Sequence, residues 1–181
     1  MYFSYNLLDT IHEQGHGMEF NIRKAERTDK KPVIDILNYY IESSFAAYPE
    51  KKAEYSFFDS MKEIARGNSF YVIEASGGQV IGFGLLKKVY AFDVFNRAGE
   101  VGYFIKPEYT HRGLGIMLLS VLENDAMALG IETLLASVSS MNPESIAFHL
   151  KNGFVECGRF VRIGLKHGKI FDVVWMQKDL K

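Results

Sequence analysis

The sequence predicts a single α/β domain in which a mixed central sheet of about six to seven strands is flanked by about four helices. Three observations support this. Strand-like and helix-like hydrophobic periodicities follow one another in the order βααβββαβαββ. Of the 181 residues, 48% are hydrophobic, which is ample for one packed core. No repeat or low-complexity segment breaks the chain.

The elements follow in order. Glu19 to Glu26 alternates as a first strand, and Thr28 or Asp29 can cap a helix running to Ser44, with Pro32 in its first turn. Val33, Ile36, Leu37, Tyr40 and Ile41 recur at helical spacing, so that helix buries one face. A loop containing Pro49 leads to a second helix, Phe57 to Arg66, stopped by Gly67. Phe70 to Ala75 and Val80 to Val89 form a hairpin around Ser76-Gly77-Gly78-Gln79. After an aromatic, irregular stretch from Tyr90 to Gly99, a strand spans Glu100 to Lys106 and ends at Pro107. Gly113-Leu114-Gly115 then opens a strongly apolar helix that reaches Leu129 and stops at Gly130. Ile131 to Ser139 is a strand and Pro143 to Asn152 a helix. Two final strands, Phe154 to Ile163 and Lys169 to Lys178, meet at Lys166-His167-Gly168.

Composition excludes several classes of function. The formal charge of -1, without a Lys/Arg run, gives no electrostatic reason to expect nucleic acid. No window approaches the roughly 18 to 20 continuous apolar residues of a membrane span. The first seventeen residues lack the basic start and apolar run of a signal peptide, so a cytoplasmic location is expected. Cys157, a lone cysteine, cannot form an internal disulfide and reads as a small core residue. Met18 follows a Gly-His-Gly break, so residues 1–18 read as an N-terminal extension, with a short helix within it, and 19–181 as the domain. His12 and His16 stand four apart, but HEQGH ends in that break and lacks the further glutamate of a metalloprotease helix, so no metal is expected.

Pro107 to Gly115 joins a strand directly to a helix. Its two glycines let backbone N–H groups converge on an anion at the positive end of the helix dipole, and Arg112 adds a guanidinium. A glycine at a helix start is also common as a plain turn. The loop is not a Walker sequence, because Ile116-Met117-Leu118-Leu119 follows where Lys-Ser/Thr is needed. Nor is it a dinucleotide fingerprint, because the third glycine position is Leu118.

With its neighbours added, GYFIKPEYTHRGLGIMLLSVLENDAMALGI resembles the acyl-CoA-binding motif of the GNAT acetyltransferase superfamily. Thr110 stands where Gln or Arg is usual, which removes a long polar side chain but no backbone donor. MNPESIAFHLKNGF resembles a second superfamily segment through Asn142, Ser145, His149, Gly153 and Phe154. GLKHGKIFDVVWMQ and ILNYYIESSFAAY are similar to the terminal signatures of the phosphinothricin and methionine-sulfoximine N-acetyltransferases. The resemblance implies the GNAT fold, acetyl-CoA as co-substrate, a small-molecule primary amine as acceptor, and a homodimer as a possible assembly.

The resemblance also implies roles. Glu100 takes the place of the general base, and His149 that of the thiolate acid or a substrate contact, where a packed histidine is the bland alternative. Tyr103, Phe104 and Ile105 would offer backbone donors, provided this strand splays from its neighbour. His111, Arg112, Gly113, Leu114, Gly115 and Ile116 would hold the pyrophosphate, and Asn142 and Ser145, also helix-capping residues, the pantetheine. Phe45, Tyr48, Tyr90, Phe92 and Phe95 would line the acceptor pocket, with Lys166 and His167 of the hairpin turn near its mouth unless they serve the turn alone. The herbicide-acetylating members use arginines in loops that here read FAAYPEKK and AFDVFNRAGE, where Arg97 is the only one. The expected activity is therefore N-acetylation of an amino acid or its analogue by direct attack in a ternary complex. A non-catalytic acyl-CoA-binding module and a protein N-terminal acetyltransferase are the alternatives.

Overall fold

A computed structural model of the protein describes residues 19–181. The expected N-terminal extension, its short helix and His12 and His16 lie outside the described residues.

The chain forms β1 (Phe20–Lys24), α1 (Lys30–Ser43), α2 (Phe57–Ile64), β2 (Ala65–Ala75), β3 (Gln79–Lys88), β4 (Ala98–Ile105), α3 (Leu114–Ala128), β5 (Thr133–Ser139), α4 (Pro143–Lys151), β6 (Val155–Lys166) and β7 (Lys169–Asp179). The seven strands make one sheet in the order β1-β2-β3-β4-β5-β7-β6. All neighbours are antiparallel except β4 and β5. The mixed sheet and four α-helices match the expected class.

Period-two alternation along the central strands divides the core between the two faces. On one face Leu86, Val101 and Leu134 pack beneath Leu118, Leu119 and Leu122 of α3. On the other, Phe70, Phe83 and Leu85 meet Val33, Leu37 and Ile41 of α1 and Phe58 and Met61 of α2. Strand β3 is covered on both sides, which is why VIGFGLL is an almost continuous apolar run. Asp125 of α3 ties that helix to the sheet edge. Its Oδ2 accepts from Lys24 Nζ at 2.8 Å, Ser69 Oγ at 2.6 Å and Tyr71 Oη at 2.8 Å.

Three details differ from the sequence reading. The second helix stops at Ile64, and Ala65 already pairs with Lys87, because Gly67 and Asn68 take positive φ and let β2 start early around an irregularity. Arg66 holds that start by donating to the carbonyls of Asn96 and Ala98, both at 3.0 Å. Asp29 precedes α1 as expected but does not cap it with its side chain. Its carboxylate instead accepts from the Glu26 amide and from Arg23. Cys157 is exposed rather than a core residue, because β6 is a sheet-edge strand solvent-exposed along nearly its whole length.

Candidate active site

The site begins where β4 and β5 part. Their parallel pairing covers only Ala98, Gly99 and Glu100 against Thr133, Leu134 and Leu135, and beyond Glu100 the two strands diverge. Lys106 donates to Ile81 on the β3 side. In an antiparallel ladder the backbone groups of alternate residues face the same neighbour, so those of Phe104 and Gly102 also turn toward β3. The N–H groups of Tyr103 and Ile105 are left on the open edge. This narrows the three expected donors to two, since the Phe104 amide belongs to the β3 ladder. The Ile105 carbonyl on that edge is taken by the Tyr40 hydroxyl, whose pKa burial pushes up to about 12.

Two cavities meet at this opening and share Tyr103, Phe104, Asn142 and Ser145. The first, about 560 Å³, runs along the start of α3 and past α4. Gly113 sits before α3 with φ +78° and no side chain caps the helix, so the amides that precede Ile116, whose own N–H bonds back to the Gly113 carbonyl at 3.1 Å, have no capping partner. His111, Gly113, Leu114, Gly115 and Ile116 line this groove, and a Cβ on Gly115 would press on the Phe148 ring, 3.1 Å from its Cε2. Arg112 is turned away, with its Nη2 donating to the Glu108 carbonyl at 3.2 Å and its guanidinium over the Tyr109 ring. Asn142 Oδ1 accepts from the Ser145 amide at 3.2 Å, so the bland capping role is met while both residues border the cleft. An open helix N-terminus followed by a groove with few charges fits a pyrophosphate and its pantetheine arm.

The second cavity, about 720 Å³, lies on the α1–α2 side. Glu100 reaches into it from β4 with its side chain 12% exposed. Its Oε1 stands 3.1 Å from Lys87 Nζ and accepts from Ser137 Oγ at 3.2 Å. Tyr48 lines the same chamber, and burial raises its phenol pKa.

His149 and Tyr103 meet on the other face of the sheet, at the junction of the cavities. The Tyr103 hydroxyl is 2.7 Å from His149 Nε2, and His149 Nδ1 is 2.7 Å from the Ser145 carbonyl. A carbonyl only accepts, so Nδ1 carries the proton and Nε2 takes the hydrogen of Tyr103. Burial lowers the His149 pKa, partly offset by the bond to Ser145, and burial raises that of Tyr103. The pair is therefore neutral imidazole and neutral phenol.

Several expected pocket residues are elsewhere. Phe45 borders the α3-side groove rather than the acceptor chamber. Tyr90, Phe92 and Phe95 stand on the exposed connection before β4 and line neither cavity. Lys166 is fully buried, donating from Nζ to the carbonyls of Ser44 at 2.7 Å and Ala47 at 2.6 Å. It braces the loop that carries Tyr48 instead of facing a ligand. His167 occupies the β6–β7 turn with φ +48°, followed by Gly168 at +71°, as a two-residue hairpin requires. Its amide donates to Glu50 and its ring edge meets Phe45. Lys87 and Ser137 were not singled out from sequence, and Tyr40 was read only as part of the buried face of its helix, because strand packing places the first two at Glu100 and a helix-to-strand contact places the third.

Fold and site together present two cavities that open on each other at a split sheet, one along the start of a helix and one bearing a carboxylate, an arrangement suited to a transferase with two substrates. The sequence model of the GNAT acetyltransferase family matches residues 33–154, and the chain belongs to that family. An L-methionine sulfoximine/L-methionine sulfone acetyltransferase of Pseudomonas aeruginosa is 26% identical over 90% of this chain and 96% of its own length. An L-amino acid N-acyltransferase of Escherichia coli is also 26% identical, over 88% and 94%. The crystal structure of a GNAT superfamily phosphinothricin acetyltransferase from Sinorhizobium meliloti, in complex with acetyl-CoA, superposes with a TM-score of 0.81 at 26% identity, covering 88% of each chain.

Proposed function

We propose that this protein transfers the acetyl group of acetyl-CoA to the primary amine of a small molecule, an amino acid or amino-acid analogue, by direct attack within a ternary complex. The observation that carries the reading is the junction at the β4–β5 split, where the α3 groove and the Glu100 chamber open on each other across the free edge of Tyr103 and Ile105. The names of the relatives point the same way.

Acetyl-CoA supplies an activated acetyl thioester when bound. The uncapped amides of Gly113, Leu114 and Gly115 are suited to its pyrophosphate, and Asn142 and Ser145 to the amide-bearing arm. The edge N–H groups of Tyr103 and Ile105 are preorganised donors for a carbonyl oxygen on which negative charge develops. Glu100 is placed to accept the proton that a primary ammonium must lose before it attacks. Tyr103 Oη, positioned by His149 Nε2, lies at this junction, where its hydrogen can turn from the imidazole to hydrogen-bond a departing thiolate. His149 thus acts through Tyr103 as a positioning residue.

The domain is read as residues 19–181, with a second copy as its partner through the exposed β6–β7 hairpin. Free-thiol release on mixing acetyl-CoA with a panel of primary amines tests the reading. Transfer to amino acids is expected, and tight binding of coenzyme A with no transfer to any amine would instead favour a non-catalytic module.

A further inference from the structure

Glu100 does not stand alone in its chamber. Lys87 is its cross-strand partner in the β3–β4 register, and the two side chains pair at 3.1 Å. The Lys87 side chain is 36% exposed and that of Glu100 12%, so the cation lies toward solvent and the anion toward the interior. Beside this pair most of the wall is apolar, built by Leu37 and Ile41 of α1, Phe57, Met61 and Ile64 of α2, and Leu85 of β3, with Ser56 and Ser60 as its hydroxyls on the α2 side. Phe57 and Ile64 remain 44% and 49% exposed, which leaves two large apolar side chains uncovered at the chamber. At about 720 Å³ the space falls in the range of roughly 300–1,000 Å³ that suits a drug-sized ligand. Among the described residues no arginine lines it, and its cations are Lys51 and Lys87.

We infer that the acceptor is a free α-amino acid with a bulky apolar side chain, and that Lys87 holds its carboxylate. This rests on the acetyl-transfer reading and narrows it. An α-amino acid carries opposite charges on adjacent groups, as does the Lys87–Glu100 pair. Its ammonium replaces Lys87 as the partner of Glu100, and its carboxylate replaces Glu100 as the partner of Lys87. Neither protein charge is left uncompensated, which is the condition for bringing charges out of water. The side chain then covers Phe57, Met61 and Ile64. A phosphinate or sulfone placed against Phe57, Met61 and Ile64 loses water there without gaining a hydrogen bond.

Thiol release would be measured with phenylalanine, leucine and methionine, with their carboxamides, with methionine sulfone and phosphinothricin, and with a dipeptide beginning in phenylalanine. The apolar free acids are expected to lead methionine sulfone and phosphinothricin by roughly tenfold or more in kcat/KM. In Lys87→Met the ratio of kcat/KM for each acid over its carboxamide should fall roughly tenfold or more, and Lys87→Arg should restore most of it. The inference is overturned if Lys87→Met lowers acid and carboxamide alike, since Lys87 then serves Glu100 rather than the substrate. It is equally overturned if phosphinothricin or the sulfone leads the panel, or if the dipeptide matches the free acid. Absence of thiol release with every amine would strike the acetyl-transfer reading itself, and this one with it.

Discussion

Glu100 and Tyr103 are three residues apart on one strand and so face opposite sides of the sheet. In the proposed reaction that separation lets one strand serve both ends of a transfer, with a carboxylate on the amine side and a histidine-bound phenol on the other. Replacing Glu100 with Gln should lower kcat roughly 10²- to 10⁴-fold, the usual share of a general base, while the KM for acetyl-CoA stays near its original value. Steady-state kinetics with both substrates varied would show this, and undiminished turnover would remove Glu100 from the reaction. His149 yields a pH prediction. Burial holds its folded pKa below the ordinary histidine value, so the unfolded chain binds the proton more tightly. The associated stability is fully present above about pH 6.5 and is lost as pH falls through the lowered folded value. Melting temperatures measured from pH 8 to pH 5 should therefore fall more steeply in the native protein than in His149→Gln. Parallel curves would show that His149 does not titrate in this way.

Among the elements, the start of α3 and the β6–β7 hairpin illustrate two kinds of support. The Gly113–Gly115 turn was legible in sequence because only backbone is involved, and glycine at a strand-to-helix junction is informative by itself. Gly115→Val would push against Phe148 and should raise the KM for acetyl-CoA several-fold, with a smaller effect on the KM for the amine. The hairpin was legible as a turn, whereas the destination of Lys166 was not. The sequence places a lysine beside a turn, where it normally meets water; only the packed structure puts its ammonium under the carbonyls of Ser44 and Ala47. Lys166→Met should leave those carbonyls unpaired, cost about 1–3 kcal/mol of stability, and raise the KM for the amine by loosening the loop that carries Tyr48. Chemical denaturation and kinetics on the same variant would test both effects. A change in the acetyl-CoA KM alone would contradict the assignment of Lys166 to the acceptor side.

For the whole molecule, the uneven covering of the sheet is the dominant feature. The centre is buried on both faces, yet Val155, Phe160, Val161, Ile163, Leu165 and Ile170 on the terminal hairpin are each at least half exposed. An apolar edge of this extent favours a partner surface of like character, in keeping with the proposed second copy. Sedimentation should give twice the chain mass of 20.6 kDa, and Val161→Glu should shift the mass toward that of one chain. A native protein that sediments as a single chain would contradict the dimer.

By itself the sequence determined the order of elements, the glycine turn that joins β4 to α3 and the family to which the chain belongs. Each of these follows from local periodicity, from glycine placement or from motifs read along the chain. The tertiary structure alone decided that the donors of the β4 edge are Tyr103 and Ile105, that His149 binds Tyr103, that Lys87 pairs with Glu100 and that Lys166 is a brace. The physical reason is register: periodicity says which residues share a face, but not which residue on a distant strand or helix lies opposite. Those pairings are fixed only when the hydrophobic faces pack and the strands settle into alignment.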